Sequence, residues 1–242
     1  MAIITSLLLL IPSAIAVATA SIVSNAGLPT DWCRNGPAPM TKYTAYNNAL
    51  NTDVKQCSVV TRQDGQKIGW KTNFNISNDD LLMPKSLTMA ALSFNPPLVS
   101  SIQTIPVEFD YEYSCPANDL EAVVIFGMFL SYAPNTAATY EVVVLLNTYG
   151  ASKIAGNFVN TVTIGETLCD VYRSEDNTIF TFVVKTPTFD LKADAKLFLN
   201  NLPINSNLVD MQYLVYIYGG SKIYRGTEAQ FDVLNLSVDL DL

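Results

Sequence analysis

Short segments rich in β-branched and aromatic residues, separated by turn-forming clusters, occupy most of the chain after its first 20 residues. The clusters are rich in Gly, Pro, Asn and Asp: Asn35–Pro39, Asp64–Gly65, Ser77–Asp80, Asn95–Pro97, Ala133–Asn135, Glu175–Asn177 and Gly219–Gly220. Turn signals about every 8–12 residues are typical of antiparallel sandwiches and barrels. We therefore expect an all-β fold of two packed antiparallel sheets, forming one domain over residues 21–242.

The strands expected between these clusters alternate apolar and polar residues or are apolar throughout. They are Thr41–Ala45, Lys67–Asn75, Ser86–Ser93, Val107–Ser114, Ala122–Tyr132, Tyr140–Thr148, Asn160–Ile164, Thr178–Thr186, Tyr213–Tyr218 and Phe231–Leu240. One helical pattern follows Asp190, a plausible N-cap, with its apolar positions at Leu191, Ala195, Phe198 and Leu202. The residues from 201 to 207 would end this single helix.

The composition excludes several classes of function. The 242 residues carry a net charge of -8, so no basic surface for nucleic acid is expected. The chain has no histidine, which excludes Ser-His-Asp triads, Cys-His dyads and His-ligated metal sites. No cofactor or metal is expected.

Residues 1–20 have the pattern of a signal peptide. Leu7 to Ala18 is an apolar core of suitable length, and Ala18-Thr19-Ala20 matches a cleavage site. No later window contains 18 uninterrupted apolar residues, so no membrane span is expected. The sequence predicts a secreted, extracellular protein.

Four cysteines fit an oxidising compartment: Cys33, Cys57, Cys115 and Cys169. They allow three pairings, among which spacing does not choose, and no C-x-x-C motif suggests zinc. Two N-glycosylation sequons are present, at Asn75 and Asn235. Because Asn235 overlaps an expected strand, Asn75 is the better acceptor.

The segment Tyr140–Gly150 reads as a central strand that is apolar on both faces and yet carries Glu141. Side chains alternate along a strand, so Val142, Val144 and Leu146 share one face, while Glu141, Val143, Leu145 and Asn147 share the other. An ionised carboxylate there needs a partner or a water-filled cleft. The strand leaves two interpretations open, a salt-bridged strand end or a functional carboxylate.

The order of several motifs resembles glycoside hydrolase family 12, the secreted endo-β-1,4-glucanases and xyloglucanases. The motifs, in chain order, are Tyr43-Thr-Ala-Tyr-Asn-Asn48 between Cys33 and Cys57, Lys67-Ile-Gly-Trp70, Ser101–Pro106 with Asp110–Tyr113, Tyr140–Gly150, the helix, and Gln212-Tyr213-Leu214. The resemblance covers nearly the whole mature chain. It implies a β-jelly roll with a concave cleft and a Cys33–Cys57 disulfide.

The resemblance also implies a retaining mechanism, in which one carboxylate attacks the sugar and a second, about 5–5.5 Å away, acts as acid and base. Glu141 matches the nucleophile, and Asn47, Asn48, Trp70 and Tyr149 match substrate-binding positions, although a core role is at least as plausible for Trp70. The implied ligand is β-1,4-glucan or xyloglucan, bound by a monomer. Host inhibitor or receptor proteins are further partners implied for secreted members.

The sequence departs from the family pattern at its most important positions. Lys222 stands at the acid/base position, and Gly127 stands where a carboxylate supports the nucleophile. Leu50 and Leu145 replace tryptophans that stack on sugars. An ammonium with a pKa near 10.4 is a weak acid for a glycosidic oxygen, so we expect hydrolysis to be absent or strongly impaired.

Two alternatives depend on the placement of the site. If Lys222 occupies the acid/base position, its ammonium should face Glu141 across about 5–5.5 Å. A rival alignment uses Glu228 of Gly226-Thr-Glu228 as the acid, at the cost of inserted residues. Tyr216 and Tyr218 share the parity of Lys222, so they would contact a partner or pack. The functional alternatives are a binding protein and an active glucanase.

Overall fold

The computed structural model describes residues 32–51, 54–77, 81–150 and 154–242, so the expected signal peptide lies outside the described residues. Strands dominate: β1 Gly36–Pro39, β2 Tyr43–Ala49, β3 Lys55–Gln63, β4 Lys67–Ile76, β5 Ser86–Leu92, β6 Pro106–Ser114, β7 Glu121–Ser131, β8 Tyr140–Tyr149, β9 Asn157–Ile164, β10 Thr167–Arg173, β11 Ile179–Val184, β12 Asp190–Asp194 and β13 Tyr213–Val238. The helices are α1 Lys196–Asn200 and α2 Ser206–Asp210, with a 3-10 turn at Val99–Ser101.

The strands form two sheets that share β13. The larger sheet has the order β1-β2-β5-β13-β7-β8-β11-β10-β9, and the smaller has the order β3-β4-β13-β6-β12. β13 pairs with β5 and β7 over its first half and with β4 and β6 over its second half. The pairs are antiparallel except β8 with β11, which is parallel.

The main core lies between the two sheets and is built by strand alternation. Val142, Val144 and Leu146 of β8 are each 0% exposed and belong to it, as the pattern of that strand predicts. Phe109 and Phe231 of the smaller sheet are also fully buried there. The expected two-sheet, nearly all-β fold is confirmed.

The expected single helix is wrong in its first half. Asp190–Asp194 is strand β12, which pairs antiparallel with β6, and Asp190 is therefore not an N-cap. Two short helices follow, and Asn205 caps the second by accepting from the backbone N–H of Asn207. The apolar positions were identified correctly, since Leu191 and Phe198 are both buried. Pairing with a neighbouring strand overrode the local helical spacing.

Three strands without a clear sequence signal complete the sheets: β1 and β10 in the larger sheet and β3 at the edge of the smaller. The expected turn at Gly219–Gly220 is wrong, because both glycines pair with β5 and β7 inside the continuous strand β13. Cys33 and Cys57 form the expected disulfide, and Cys115 and Cys169 are free. Within the described ranges, no helix is long and apolar enough to cross a membrane. No group of three or more Cys, Asp or Glu side chains suited to a metal ion occurs there either.

Candidate active site

The larger sheet has a second face, here called the cleft face, which points away from the smaller sheet. Its centre is apolar, and a second cluster of buried side chains forms on it: Ala91, Val123, Ile125, Val143, Leu145 and Tyr218. Partly buried aromatic residues pack around this cluster, including Tyr46, Phe129, Tyr216 and Tyr224. Leu145 replaces a sugar-stacking tryptophan of the family pattern. It is 7% exposed and therefore packs within this cluster.

Glu141 lies on the cleft face near the start of β8. It stands opposite Phe129 of β7 on one side and Ile179 of β11 on the other. Its Oε1 atom accepts a hydrogen bond of 3.0 Å from the phenol of Tyr218. Glu141 forms no ion pair with any residue that the structure describes. The phenol, rather than a cation, therefore satisfies this carboxylate.

The ring of Tyr218 lies directly over Gly127. The two residues are register partners in β13 and β7, and a Cβ atom added to Gly127 would lie 2.3 Å from ring atoms of Tyr218. The ring is 4% exposed and stacks on Phe129 with 5.9 Å between centroids. Burial, followed by the charge of Glu141, raises the pKa of Tyr218 well above its usual value. We call Gly127, Phe129, Glu141 and Tyr218 the Glu141 end of the cleft face.

Lys222 also lies on the cleft face, but far from Glu141 along the strands. Lys222 stands opposite Val123 of β7, whereas Glu141 stands opposite Phe129, six residues further along the same strand. At about 3.3 Å per residue this offset is about 20 Å. The expected approach of the Lys222 ammonium to Glu141 is therefore wrong, because strand register separates the two residues.

Two residues of opposite charge lie two to three residues along the strands from the level of Lys222 and its register partner Val123. Arg225 pairs in register with Glu121, with 3.5 Å between guanidinium and carboxylate. The carboxylate of Glu121 packs against Gly150, whose added Cβ would lie 2.1 Å from it. Tyr149, Gly150, Glu121 and Arg225 line a cavity of about 430 Å³. We call Lys222 and these four residues the Lys222 end.

The expected substrate-binding residues divide between the cleft and the core. Asn48 is partly exposed and lies at the level of Lys222, since both pair with Leu87 of β5. Tyr149 is half-buried, packs on Tyr113 at 4.9 Å and lines the cavity at the Lys222 end. Asn48 is therefore compatible with a ligand contact on the cleft face, whereas Tyr149 stands opposite the core residue Ala122 and could reach a ligand only in the cavity.

The expected ligand contact of Asn47 is wrong, and of the two roles left open for Trp70 the structure has the core one, because both residues are 0% exposed. Asn47 accepts hydrogen bonds from Gln56 and Ser58 on the inner face of β2. Trp70 donates from Nε1 to the hydroxyl of Thr88 at 3.0 Å. Both side chains therefore stabilise the core and do not reach a ligand on the cleft face.

A bulge in β8 changes the orientation of Asn147. The register with β7 shifts between Val124 and Ile125, so Asn147 pairs with Val124 and turns to the inner face. There it lies 7% exposed and interacts with Tyr111 and Tyr149. The expectation that it shares a face with Glu141 is therefore wrong, because simple alternation ends at the bulge.

Glu228, the rival acid, is exposed and has a φ of 50° at an irregularity of β13, in the half that pairs with β4. It does not lie on the cleft face near Glu141. Of the two sequons, Asn75 is exposed, which fits an acceptor. Asn235 is buried and donates to Glu108. Leu50, at a tryptophan position of the family pattern, is 44% exposed.

Sequence reasoning missed the role of Tyr218. Its parity placed it correctly on the face of Lys222, but a partner five strands away in chain order carries no local signal. The glycine at position 127 was the available clue, since a small residue in the middle of a strand marks a place where another group approaches closely.

Comparison with known proteins agrees with this fold. The family model for glycosyl hydrolase family 12 matches residues 41–241. A xyloglucan-specific endo-β-1,4-glucanase of Phytophthora nicotianae is 31% identical over 216 residues, covering 86% of this chain and 88% of that protein. A xyloglucan-specific endo-β-1,4-glucanase of Emericella nidulans is 27% identical over 238 residues, covering 93% and 98%.

Solved structures extend the comparison to the fold. Endoglucanase 3 of Trichoderma harzianum superposes with a TM-score of 0.80 at 20% identity, covering 90% of this chain and all of that one. The family 12 xyloglucanase of Bacillus licheniformis has a TM-score of 0.72 at 17% identity, covering 88% and 100%. From the motif order, the shared fold and the match over residues 41–241, the chain belongs to glycosyl hydrolase family 12.

Proposed function

We propose that this family 12 member is a secreted glucan-binding protein whose hydrolytic activity is absent or strongly impaired. One observation carries the proposal: Glu141 faces the phenol of Tyr218 at 3.0 Å, where retaining hydrolysis needs a second carboxylate within about 5–5.5 Å. Because its pKa is raised well above the usual value, the phenol of Tyr218 is a poor proton donor for a glycosidic oxygen.

Other carboxylates near the cleft face are poorly suited to replace the missing acid. Glu121 lies on β7 eight residues from Phe129, the register partner of Glu141, which is about 26 Å along the strand. Asp176, in the turn before β11, accepts hydrogen bonds from Ser174 and Thr178, and these bonds lower its pKa. An acid with a lowered pKa is ionised at neutral pH and has no proton to give.

The cleft face still offers features that suit a sugar chain. Aromatic side chains remain partly exposed on it at Tyr46 and Tyr216, and aromatic rings bury apolar sugar faces well. Xyloglucan-specific relatives support a β-1,4-glucan or xyloglucan as the ligand. The expected signal peptide and the Cys33–Cys57 disulfide support secretion.

Two assays test the proposal together. Purified protein is incubated with xyloglucan and with carboxymethyl-cellulose, and released reducing ends are compared with those from the Phytophthora nicotianae relative. Affinity gel electrophoresis in the same polysaccharides measures binding. We expect turnover at least 100-fold below the relative, since loss of acid–base catalysis costs roughly 10²–10⁴-fold, together with retarded migration.

A matched pair of variants locates the binding surface. Tyr216→Ala should weaken retardation, whereas Phe189→Ala, an exposed aromatic that packs on Tyr111 of the smaller sheet, should not. Turnover equal to that of the relative would refute the impairment. If neither polysaccharide retards the protein, glucan binding is refuted, and an inhibitor or receptor protein becomes the candidate partner.

The second candidate is an active retaining endo-β-1,4-glucanase, favoured by 31% identity to a xyloglucan-specific enzyme. Aryl cellobiosides with a dinitrophenolate leaving group distinguish the candidates, because such a leaving group departs without an acid. Cleavage of the aryl glycoside without cleavage of xyloglucan would indicate a competent Glu141 that lacks its acid. Cleavage of both would support the active enzyme.

A further inference from the structure

Glu141 presents a physical problem that the family pattern does not solve. Its neighbours on the cleft face are the side chains of Phe129, Ile179 and Val143, which are apolar. A carboxylate in such surroundings is costly unless it is hydrogen-bonded. The carboxylate expected at position 127 is replaced by glycine, so support must come from another residue.

We propose that Tyr218 is the positioning residue of Glu141, and that Gly127 is the residue that makes room for it. The phenol reaches Glu141 because its ring lies flat over the backbone of β7 at the one position without a side chain. The stacked contact with Phe129, two residues further along β7, also holds the ring in place. Gly127 and Tyr218 therefore act as one pair, with one residue on each of two neighbouring strands.

The phenol of Tyr218 differs electrostatically from a carboxylate at position 127. A second carboxylate would repel the charge of Glu141, whereas a phenol is neutral and donates its proton to the charge. The charge of Glu141 in turn disfavours ionisation of Tyr218. The phenol therefore remains a donor throughout the physiological pH range and holds Glu141 in one orientation.

The two arrangements exclude each other. Any side chain at position 127 must displace the Tyr218 ring, because its Cβ would lie 2.3 Å from the ring. Displacing the ring removes the donor of Glu141 and exposes the apolar cluster beneath it. Restoring a carboxylate at Gly127 alone should therefore damage the site rather than repair it.

The first test observes the hydrogen bond directly. Protein labelled with ¹³C at the tyrosine Cζ gives one resonance per tyrosine, and Tyr218→Phe identifies the resonance of Tyr218. Glu141→Gln should shift that resonance, because an amide oxygen is a weaker acceptor than a carboxylate. The resonance of Tyr113, whose phenol bonds Ser221 at 2.6 Å, is the internal control and should not move. An unchanged Tyr218 resonance overturns the proposal.

The second test measures the coupling between the two residues by thermal unfolding. Gly127→Ala should lower Tm by roughly 5–10 °C, as a steric clash in a core does for a chain of this size. In the Tyr218→Ala background the same substitution should change Tm by less than about 2 °C, because the obstructing ring is gone. Equal effects in both backgrounds would show that the ring does not need Gly127.

The inference concerns the site of the proposed function, but both tests are read without substrate. An active glucanase with the predicted resonance shift would refute the impairment and leave the role of Tyr218 standing. An inactive protein with an unchanged resonance would support the impairment and refute the role of Tyr218.

Discussion

The two ends of the cleft face stabilise their charged side chains in different ways. At the Glu141 end a single carboxylate sits among apolar side chains and is satisfied by one neutral phenol, that of Tyr218. At the Lys222 end charges of both signs pair, as Arg225 does with Glu121, beside a cavity of about 430 Å³. The first end is packed and the second is open.

This difference shows that residues can keep the chain order of a family motif without lying close together in the fold. Glu141 and Lys222 occupy the expected places in the chain order of the family, yet six residues of β7 separate their levels in the sheet. Chemistry that needs both residues at one sugar is therefore not available to them. Five predictions test or sharpen this comparison, and they follow in order of decreasing effect.

The largest expected effect is the drop in stability when the disulfide beside the Lys222 end is removed. Cys33 and Cys57, 24 residues apart, flank β2, which carries Asn48. Replacing both by serine should lower the free energy of unfolding by about 3–4 kcal/mol, the chain-entropy value for such a loop. Urea unfolding measures this, and Cys115→Ser, which alters a free thiol, serves as the control. A loss equal to that of the control would contradict the prediction.

The second effect concerns Gly150, which lets the Glu121 carboxylate approach the backbone. Gly150 has a φ of 74°, and an added Cβ would overlap that carboxylate. Gly150→Ala should therefore cost about 2–3 kcal/mol in unfolding free energy, combining strain with displacement of Glu121.

Gly165→Ala is the matched control for Gly150, since its φ is 59° and nothing lies within 4 Å of an added Cβ. It should cost only about 1 kcal/mol, the strain of a positive φ. Equal costs at the two glycines would mean that the contact with Glu121 does not matter.

The third effect isolates the hydrogen bond at the Glu141 end. Tyr218→Phe keeps the ring and removes the donor, which leaves the Glu141 carboxylate unsatisfied and should cost about 1–3 kcal/mol. Tyr224→Phe changes another half-buried phenol of the same face and should cost less than about 0.5 kcal/mol. Chemical denaturation of both variants measures the two costs. If Tyr218→Phe left the unfolding free energy unchanged, the hydrogen bond to Glu141 would not stabilise the Glu141 end.

The fourth prediction uses pH to compare the ends. Burial raises the pKa of Tyr149, at the Lys222 end, to about 12, and that of Tyr218 well above its usual value. A phenol whose pKa is raised by folding stabilises the protein fully below its unfolded pKa, near 10. Stability should therefore fall as the pH rises above about 10.

Unfolding free energies measured between pH 8 and pH 12 check the pH dependence. Tyr218→Phe should reduce the slope above pH 10, since one raised pKa is removed, and Tyr132→Phe, at a phenol that is 66% exposed, serves as the control. A slope that is the same in wild type and in Tyr218→Phe would show that Tyr218 ionises no differently in the folded and unfolded states.

The smallest expected effect is on catalysis. Lys222→Glu should not raise hydrolysis of xyloglucan above the wild-type value, because the new carboxylate would lie about 20 Å along the strands from Glu141. Reducing-end release measures it, with Lys222→Gln as the uncharged control. A large gain for Lys222→Glu alone would show that the two ends form one site after all.

Much of the fold could be predicted from the sequence, because strand alternation is a local property. The inward positions of β8 at Val142, Val144 and Leu146 follow from a period of two residues, and all three are buried. The Asp190 segment was misread for the opposite reason. Its spacing favours a helix locally, but pairing with β6 made it strand β12.

The candidate site was only partly predictable. The strand pattern identified Glu141 as a carboxylate in need of a partner, and parity placed Tyr218 and Lys222 on one face. The sequence predicted a ligand contact for Asn47 and left Trp70 open between core and ligand, because a polar or aromatic residue can face either one. Their hydrogen bonds to Ser58 and Thr88 decided the outcome.

The sequence by itself determined the family, most of the strands and the inward face of Val142, Val144 and Leu146 in β8. Only the tertiary structure decided which residues of β13, β7 and β8 stand at the same level. It placed Tyr218, not Lys222, opposite Gly127 and within reach of Glu141. The physical reason is that alternation is fixed within each strand, whereas register is fixed by hydrogen bonds between strands that are distant in the chain.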